Sequence, residues 1–140
     1  MPRLYDAGVL SFMSDEWVAA LDIAASTAPG LVGVLPEDAD VDELVIEHVI
    51  DDAGTERAFH LVLGHGPARA HVGRANEPTI TFSQDLATAS AIASGDASAQ
   101  SAFMSGKLRL GGRVDLLLEH HGALAELDDV FADVRAQTEW

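Results

Sequence analysis

The chain has 140 residues, a length that suits one domain with a sizeable core. Eight Lys and Arg against 23 Asp and Glu leave a net charge of −15, which repels phosphate backbones and anionic headgroups in bulk and argues against general nucleic-acid binding. The absence of cysteine excludes disulfides, thiolate nucleophiles and Cys-based metal sites. A hydrophobic content of 48% is too high for a disordered acidic tail, yet no run reaches the roughly 18 apolar residues of a membrane span. The first residues meet acids too early for a signal peptide's apolar stretch, so a cytoplasmic location is expected.

Residues 1–13 show no period and read as an arm. Ser14 is a good N-cap, Asp15 and Glu16 suit the positive end of a helix dipole, and Pro29 with Gly30 stop the run. The expected apolar face is Trp17, Leu21, Ala24 and Ala28. A connection over 31–42, punctuated by Pro36 and acids, leads to two strand-like runs, 43–50 and 56–63, joined through Ala53 and Gly54 as a hairpin. In the register that gathers the large apolar groups, Leu44, Ile46, His48 and Ile50 share a face with Phe59, Leu61 and Leu63. Glu47 then lies opposite His60 on the other, solvated face, and Arg57 falls on the apolar side at the turn end.

After the turn at 64–67, Ala68, Ala70 and Val72 alternate with Arg69 and His71 in a third strand. Ile80 and Phe82 alternate with Thr79, Thr81 and Ser83 in a fourth. Residues 84–94 read as a helix capped by Ser83 and closed by Gly95, and 97–105 as a short helix ending at Gly106. A fifth strand is expected over 107–110, with Leu108 and Leu110 on one face, before Gly111 and Gly112 turn the chain. An acidic helix at 123–136 carries Leu124, Leu127, Phe131 and Val134 in a narrow apolar stripe.

Candidate chemistry is sparse. His120 and His121 point about 100° apart on a helix, and the six histidines lack metal-ligand spacing, so no metal is expected. The His120–His121 pair instead suits a helix C-terminus. Glu47 beside His60 has the composition of an acid–base pair, but on a solvated face it reads as a cross-strand polar contact. The glycines at 106, 111 and 112 do not form a phosphate loop, and no nucleophile elbow is present. No enzyme activity and no cofactor are expected.

One block is more specific. PTITFSQDLATASAIASGDASAQSAFMSGKLRLGG, residues 78–112, above all its AFMSGKLRLGG end, resembles the sterol carrier protein type 2 family of lipid-binding domains; the hairpin and third strand agree in order and spacing. The resemblance implies one domain over 1–140 of α+β class: a five-stranded, mostly antiparallel sheet with helices on one face, enclosing an apolar tunnel. It implies non-enzymatic binding, with transfer, of a fatty acid, fatty acyl-CoA, sterol or similar lipid. The residues expected to meet that ligand are Ile80, Phe82, Phe103, Met104, Leu108, Leu110, Val114, Leu117, His48 and Phe131, with His48 at the cavity rim. Eukaryotic members end in a peroxisomal address, whereas this chain ends Thr138, Glu139, Trp140, which again favours the cytoplasm. The C-terminal helix lies beyond the matched block and is expected to gate the tunnel of a monomer without stable membrane insertion. The competing reading is a protein-interaction module with a self-filled core that uses this acidic helix.

Overall fold

The structure, a computed structural model, describes residues 10–33, 35, 43–120, 122, 130, 134 and 138–139. Apart from residues 130 and 134, the expected C-terminal helix at 123–136 lies outside these residues, as does most of the 31–42 connection. After the short strand β1 (Leu10–Ser11), helix α1 spans Asp15–Thr27 and a single 3-10 turn spans Pro29–Leu31. Ser14 caps α1 by accepting from the Trp17 backbone N–H at 3.1 Å, as a side-chain oxygen at that position should. The buried face of α1 is Trp17, Val18, Leu21 and Ala25; Ala24 and Ala28 stand beside it, partly buried.

Strands β2 (Leu44–Asp52) and β3 (Thr55–Leu63) form the expected hairpin. Asp52 pairs with Thr55 across Ala53 and Gly54, whose φ angles are 52° and 91°. Two consecutive left-handed residues give a turn whose twist matches the strands. The register is the predicted one: Leu44 with Leu63, Ile46 with Leu61, His48 with Phe59 and Ile50 with Arg57. Strand β4 (Arg69–Val72) joins β3, while β5 (Ile80–Asp85) runs parallel to β2. Strand β6 (Arg109–Gly112) closes the order β4-β3-β2-β5-β6, with three of the four pairings antiparallel. A final β7 (Thr138–Glu139) pairs with β1.

The second half departs from expectation at two boundaries. Strand β5 extends to Asp85, and it is Asp85, not Ser83, that caps α2 (Leu86–Ser94) by accepting from the Thr88 N–H at 2.8 Å. The ladder to β2 runs as far as Asp51 opposite Asp85, holding Ser83 and Gln84 extended. Likewise Gly111 and Gly112 belong to β6, opposite Thr81 and Ile80. A Cβ on Gly112 would stand 2.3 Å from the Thr79 carbonyl oxygen, and its φ is 82°, so the glycine permits close pairing of two backbones. Helix α3 (Ala99–Met104) precedes β6, and α4 (Val114–Glu119) follows it. His120 ends α4, its N–H bonded to the Leu116 carbonyl; His121 lies outside the described residues.

The core lies on one face of the sheet, where Trp17, Leu21, Leu44, Ile46, Ile50, Leu61, Leu63 and Ile80 are essentially sealed from solvent. Helix α1 is pinned over β4 by Asp22, which accepts from Nε and Nη2 of Arg69 at 2.7 and 2.9 Å and from the Ala70 N–H at 2.8 Å. The Arg69 guanidinium holds the Asp22 carboxyl below its ordinary range. Val130 and Val134 are buried in the same core.

Candidate functional site

The pleat organises the inner face into rows, because alternate residues of neighbouring strands meet on one side. One row crosses Ala70, Leu61, Ile46, Ile80 and Gly112, and its four side chains are buried. The next row takes one residue from each strand: Val72, Phe59, His48, Phe82 and Leu110. Here burial gives way. Phe59 is sealed, His48, Phe82 and Leu110 are partly buried, and Val72 is exposed.

This second row is aromatic and continuous with α1. Phe12 meets Trp17 edge-on at 5.0 Å, and Trp17 meets Phe59 at 5.3 Å. Phe59 stacks on His48 at 4.6 Å with an interplanar angle of 4°, and His48 meets Phe82 at 5.0 Å. Rings at these separations gain from face–edge complementarity as well as buried area. Loss of hydration pushes the pKa of the His48 imidazole down to about 4, against a smaller opposing pull from Glu47, so His48 is a neutral ring at pH 7.

The ten residues singled out from the sequence separate into groups. Ile80 is in the sealed row, and Leu108 is buried beside α3. His48, Phe82, Leu110 and Val114 are partly buried at the margin of the core. Phe103 and Met104 do not face inward: they are 50% and 77% exposed, because they occupy the last turn of α3 on the side away from Ala102. Leu117 lies in α4, but its side chain, like the whole of Phe131, falls outside the described residues.

Gln84 was hidden from sequence reasoning by the expected helix start. It continues the alternation of Ile80 and Phe82 on the inner face, opposite Ile50. Its Oε1 is buried without a hydrogen-bond partner among the described residues. The strand period carried two residues further would have revealed it.

The opposite face corrects a second expectation. Glu47 pairs in register with His60, but it is completely buried, not solvated. Segment 73–79 folds over it. The carboxylate accepts from Arg74 at 3.2 Å, from the Ala75 N–H at 2.8 Å and from Thr81 at 3.3 Å. Burial pulls its pKa upward, but these donors together outweigh it and hold the carboxyl below the usual range. His60 donates its Nδ1–H to the Gly73 carbonyl at 2.8 Å, since a carbonyl can only accept. Beside them lies a groove of about 680 Å³ floored by Val45 and Val62 and edged by Glu43, Glu77 and Arg74. Among the described residues no group of three or more His, Asp or Glu is placed to hold a metal, and no helix is long and apolar enough to cross a membrane.

Comparison with known proteins places this geometry. The model of the SCP-2 sterol transfer family matches residues 37–125, a longer stretch than the block in which the sequence resemblance is sharpest. No curated protein sequence matches the chain. Among solved structures, a conserved hypothetical protein from Thermus thermophilus superposes with a TM-score of 0.67 at 22% identity, covering 88% of this chain and 89% of its own. A crystal structure of sterol carrier protein 2 gives a TM-score of 0.66 at 22% identity over 86% and 96% of the two chains. The palmitated SCP2L2 of Aedes aegypti gives 0.50 at 22% identity over 81% and 93%. These likenesses fix the fold, an α+β architecture with a five-stranded mixed sheet. The family match extends across both the hairpin and the row of rings, and the chain belongs to the SCP-2 sterol transfer family.

Proposed function

We propose that the protein binds a hydrophobic small molecule, such as a fatty acid, fatty acyl-CoA or sterol, against the inner sheet face beside α2 and α3. The observation that carries this reading is the row of His48, Phe82 and Leu110, partly buried in a family member whose adjacent row is sealed. An apolar row left partly open is a surface that a ligand can finish burying. Ile80 lies in the sealed row beside it, Leu108 is buried, and Val114 is partly buried. The palmitated relative from Aedes aegypti is consistent with an acyl chain in this fold.

The ligand is carried, not transformed. Glu47, the carboxylate best placed by sequence for acid–base work, already accepts from Arg74, Ala75 and Thr81, which leaves it no role as a base toward a substrate. His48 is a neutral ring packed between two others. The C-terminal helix, expected as a gate, lies outside the described residues apart from residues 130 and 134, and the proposed binding surface does not include it.

Native mass spectrometry of the purified protein, followed by titration with a fatty-acid series, tests the reading. Each buried methylene contributes about 0.8 kcal/mol before ordering costs, so affinity should climb with chain length to a plateau. Equal, negligible binding of short and long chains would remove the proposal.

A further inference from the structure

The turn from α3 into β6 is a second surface. Its foot is buried: Ala102 and Leu108 are 5% and 3% exposed, and the N–H groups of Lys107 and Leu108 both bond the Ala102 carbonyl, at 2.9 and 3.1 Å. Gly106, with φ of 79°, supplies the left-handed step that folds the chain back on the helix. The segment between is therefore a tight, anchored tip. It holds Phe103, Met104, Lys107 and Arg109 outward, all exposed.

Two independent features distinguish this tip. Phe103 and Met104 are adjacent, large, apolar and exposed, an arrangement that costs solubility unless something covers it. Lys107 and Arg109 are also unlike the other described cations. Arg57, Arg69, Arg74 and Arg113 each stand within ion-pair distance of a carboxylate, whereas Lys107 and Arg109 have no ion pair among the described residues. In a chain of net charge −15, two such cations so close in sequence are a local exception. Asp85 feels Lys107 but already caps α2.

We propose that the α3–β6 tip is a membrane-touching element: Phe103 and Met104 enter the interface of an anionic bilayer while Lys107 and Arg109 meet its headgroup phosphates. Apolar side chains flanked by basic ones are the composition of interfacial binding, in which shallow burial and headgroup attraction add. The overall negative charge does not forbid it. At physiological salt the Debye length is about 8 Å, so acids on the far side of the domain are screened while cations at contact are not. It also makes the contact weak and reversible, as loading and unloading a carried lipid requires. The inference goes beyond ligand binding and rests on the proposed carrier role only for its purpose.

Sedimentation of the full chain with phosphatidylglycerol–phosphatidylcholine vesicles, against phosphatidylcholine alone, provides the test. The protein should partition to the anionic vesicles and be released by salt. Lys107→Gln with Arg109→Gln should lower partitioning by about thirtyfold, the equivalent of about 1 kcal/mol per cation, and Met104→Ser should weaken binding to either vesicle. Displacement of a fluorescent fatty acid in solution should be the same for the double-glutamine variant and the parent, which separates this surface from the ligand site. Two results overturn the proposal. One is anionic-vesicle binding that is absent or indifferent to the two cations. The other is a parent chain that self-associates through the tip, seen as a dimer that the double variant converts to monomer without any vesicle binding.

Discussion

The two halves of the inner sheet face differ in what they leave finished. Under α1, Trp17, Leu21, Leu61, Leu63 and Ala70 are buried, and Asp22 locks the helix to β4 through three hydrogen bonds. Toward β5 and β6, Phe82, Leu110 and Val114 are only partly covered, Gln84 Oε1 lacks a partner among the described residues, and the last turn of α3 faces outward. A half whose packing is complete sets the stability of the domain. A half with open apolar surface and an unmet polar group has free energy left to gain from a ligand.

The largest expected effect breaks the closed half. Leu61→Ala removes a fully buried side chain from the sealed row and should cost about 2 to 5 kcal/mol, read as a fall in the midpoint of urea unfolding. Leu110→Ala, on the same face three strands away, should cost about 1 kcal/mol or less, because its side chain already meets solvent and leaves a smaller cavity. Its main consequence should be weaker binding of long acyl chains. Equal stability losses for the two variants would erase the distinction between the halves.

An intermediate effect lies where the halves meet, at His48. Its folded pKa is about 4 against an ordinary 6.5, so between those values the unfolded chain binds the proton that the folded chain refuses. Stability from this group is complete above pH 6.5 and is lost as pH falls toward 4, by at most about 3 kcal/mol. Unfolding followed between pH 7 and 4 should show this slope, and His48→Phe should flatten it. The carboxylates of Asp22 and Glu47, whose folded pKa values are lowered, act in a separate window below about pH 4.5, where stability falls as they protonate.

The closed half was legible in the sequence because its cues are local. A cap at Ser14, a breaker at Pro29 and strict alternation around Ala53 and Gly54 each act within a few residues, and together they gave the hairpin register pair by pair. The open half depends on contacts distant in the chain. Parallel pairing with β2 holds Ser83 and Gln84 in the strand, against the helical preference of the alanine-rich run that follows. Close pairing with Thr79 makes Gly112 part of β6. Glu47 looked solvated because nothing near it in sequence announces Arg74, Ala75 and Thr81 as its donors. The residues expected to meet a ligand fared likewise: the resemblance located AFMSGKLRLGG, but composition could not tell that Ala102 and Leu108 turn in while Phe103 and Met104 turn out.

A small stability effect gives the finest test of the open half, because it should change sign between the empty and loaded protein. Gln84 extends the inner-face alternation, and its Oε1 is a buried acceptor with no hydrogen-bond partner among the described residues. Such a group costs about 1 to 3 kcal/mol when nothing replaces its bond to water. Gln84→Met keeps the length and flexibility of the side chain while deleting both polar atoms. It should therefore stabilise the ligand-free domain, by about 1 kcal/mol once the lost amide donors are set against the gain. A ligand with a hydroxyl group can donate to Oε1, so the same substitution should weaken binding of a long-chain alcohol more than binding of an alkane of equal length. Thermal unfolding without ligand and competitive titration of the alcohol and the alkane measure the two signs separately. If the ligand-free variant is instead less stable, Oε1 is satisfied by ordered water in solution, and the open half is as complete as the half beneath α1.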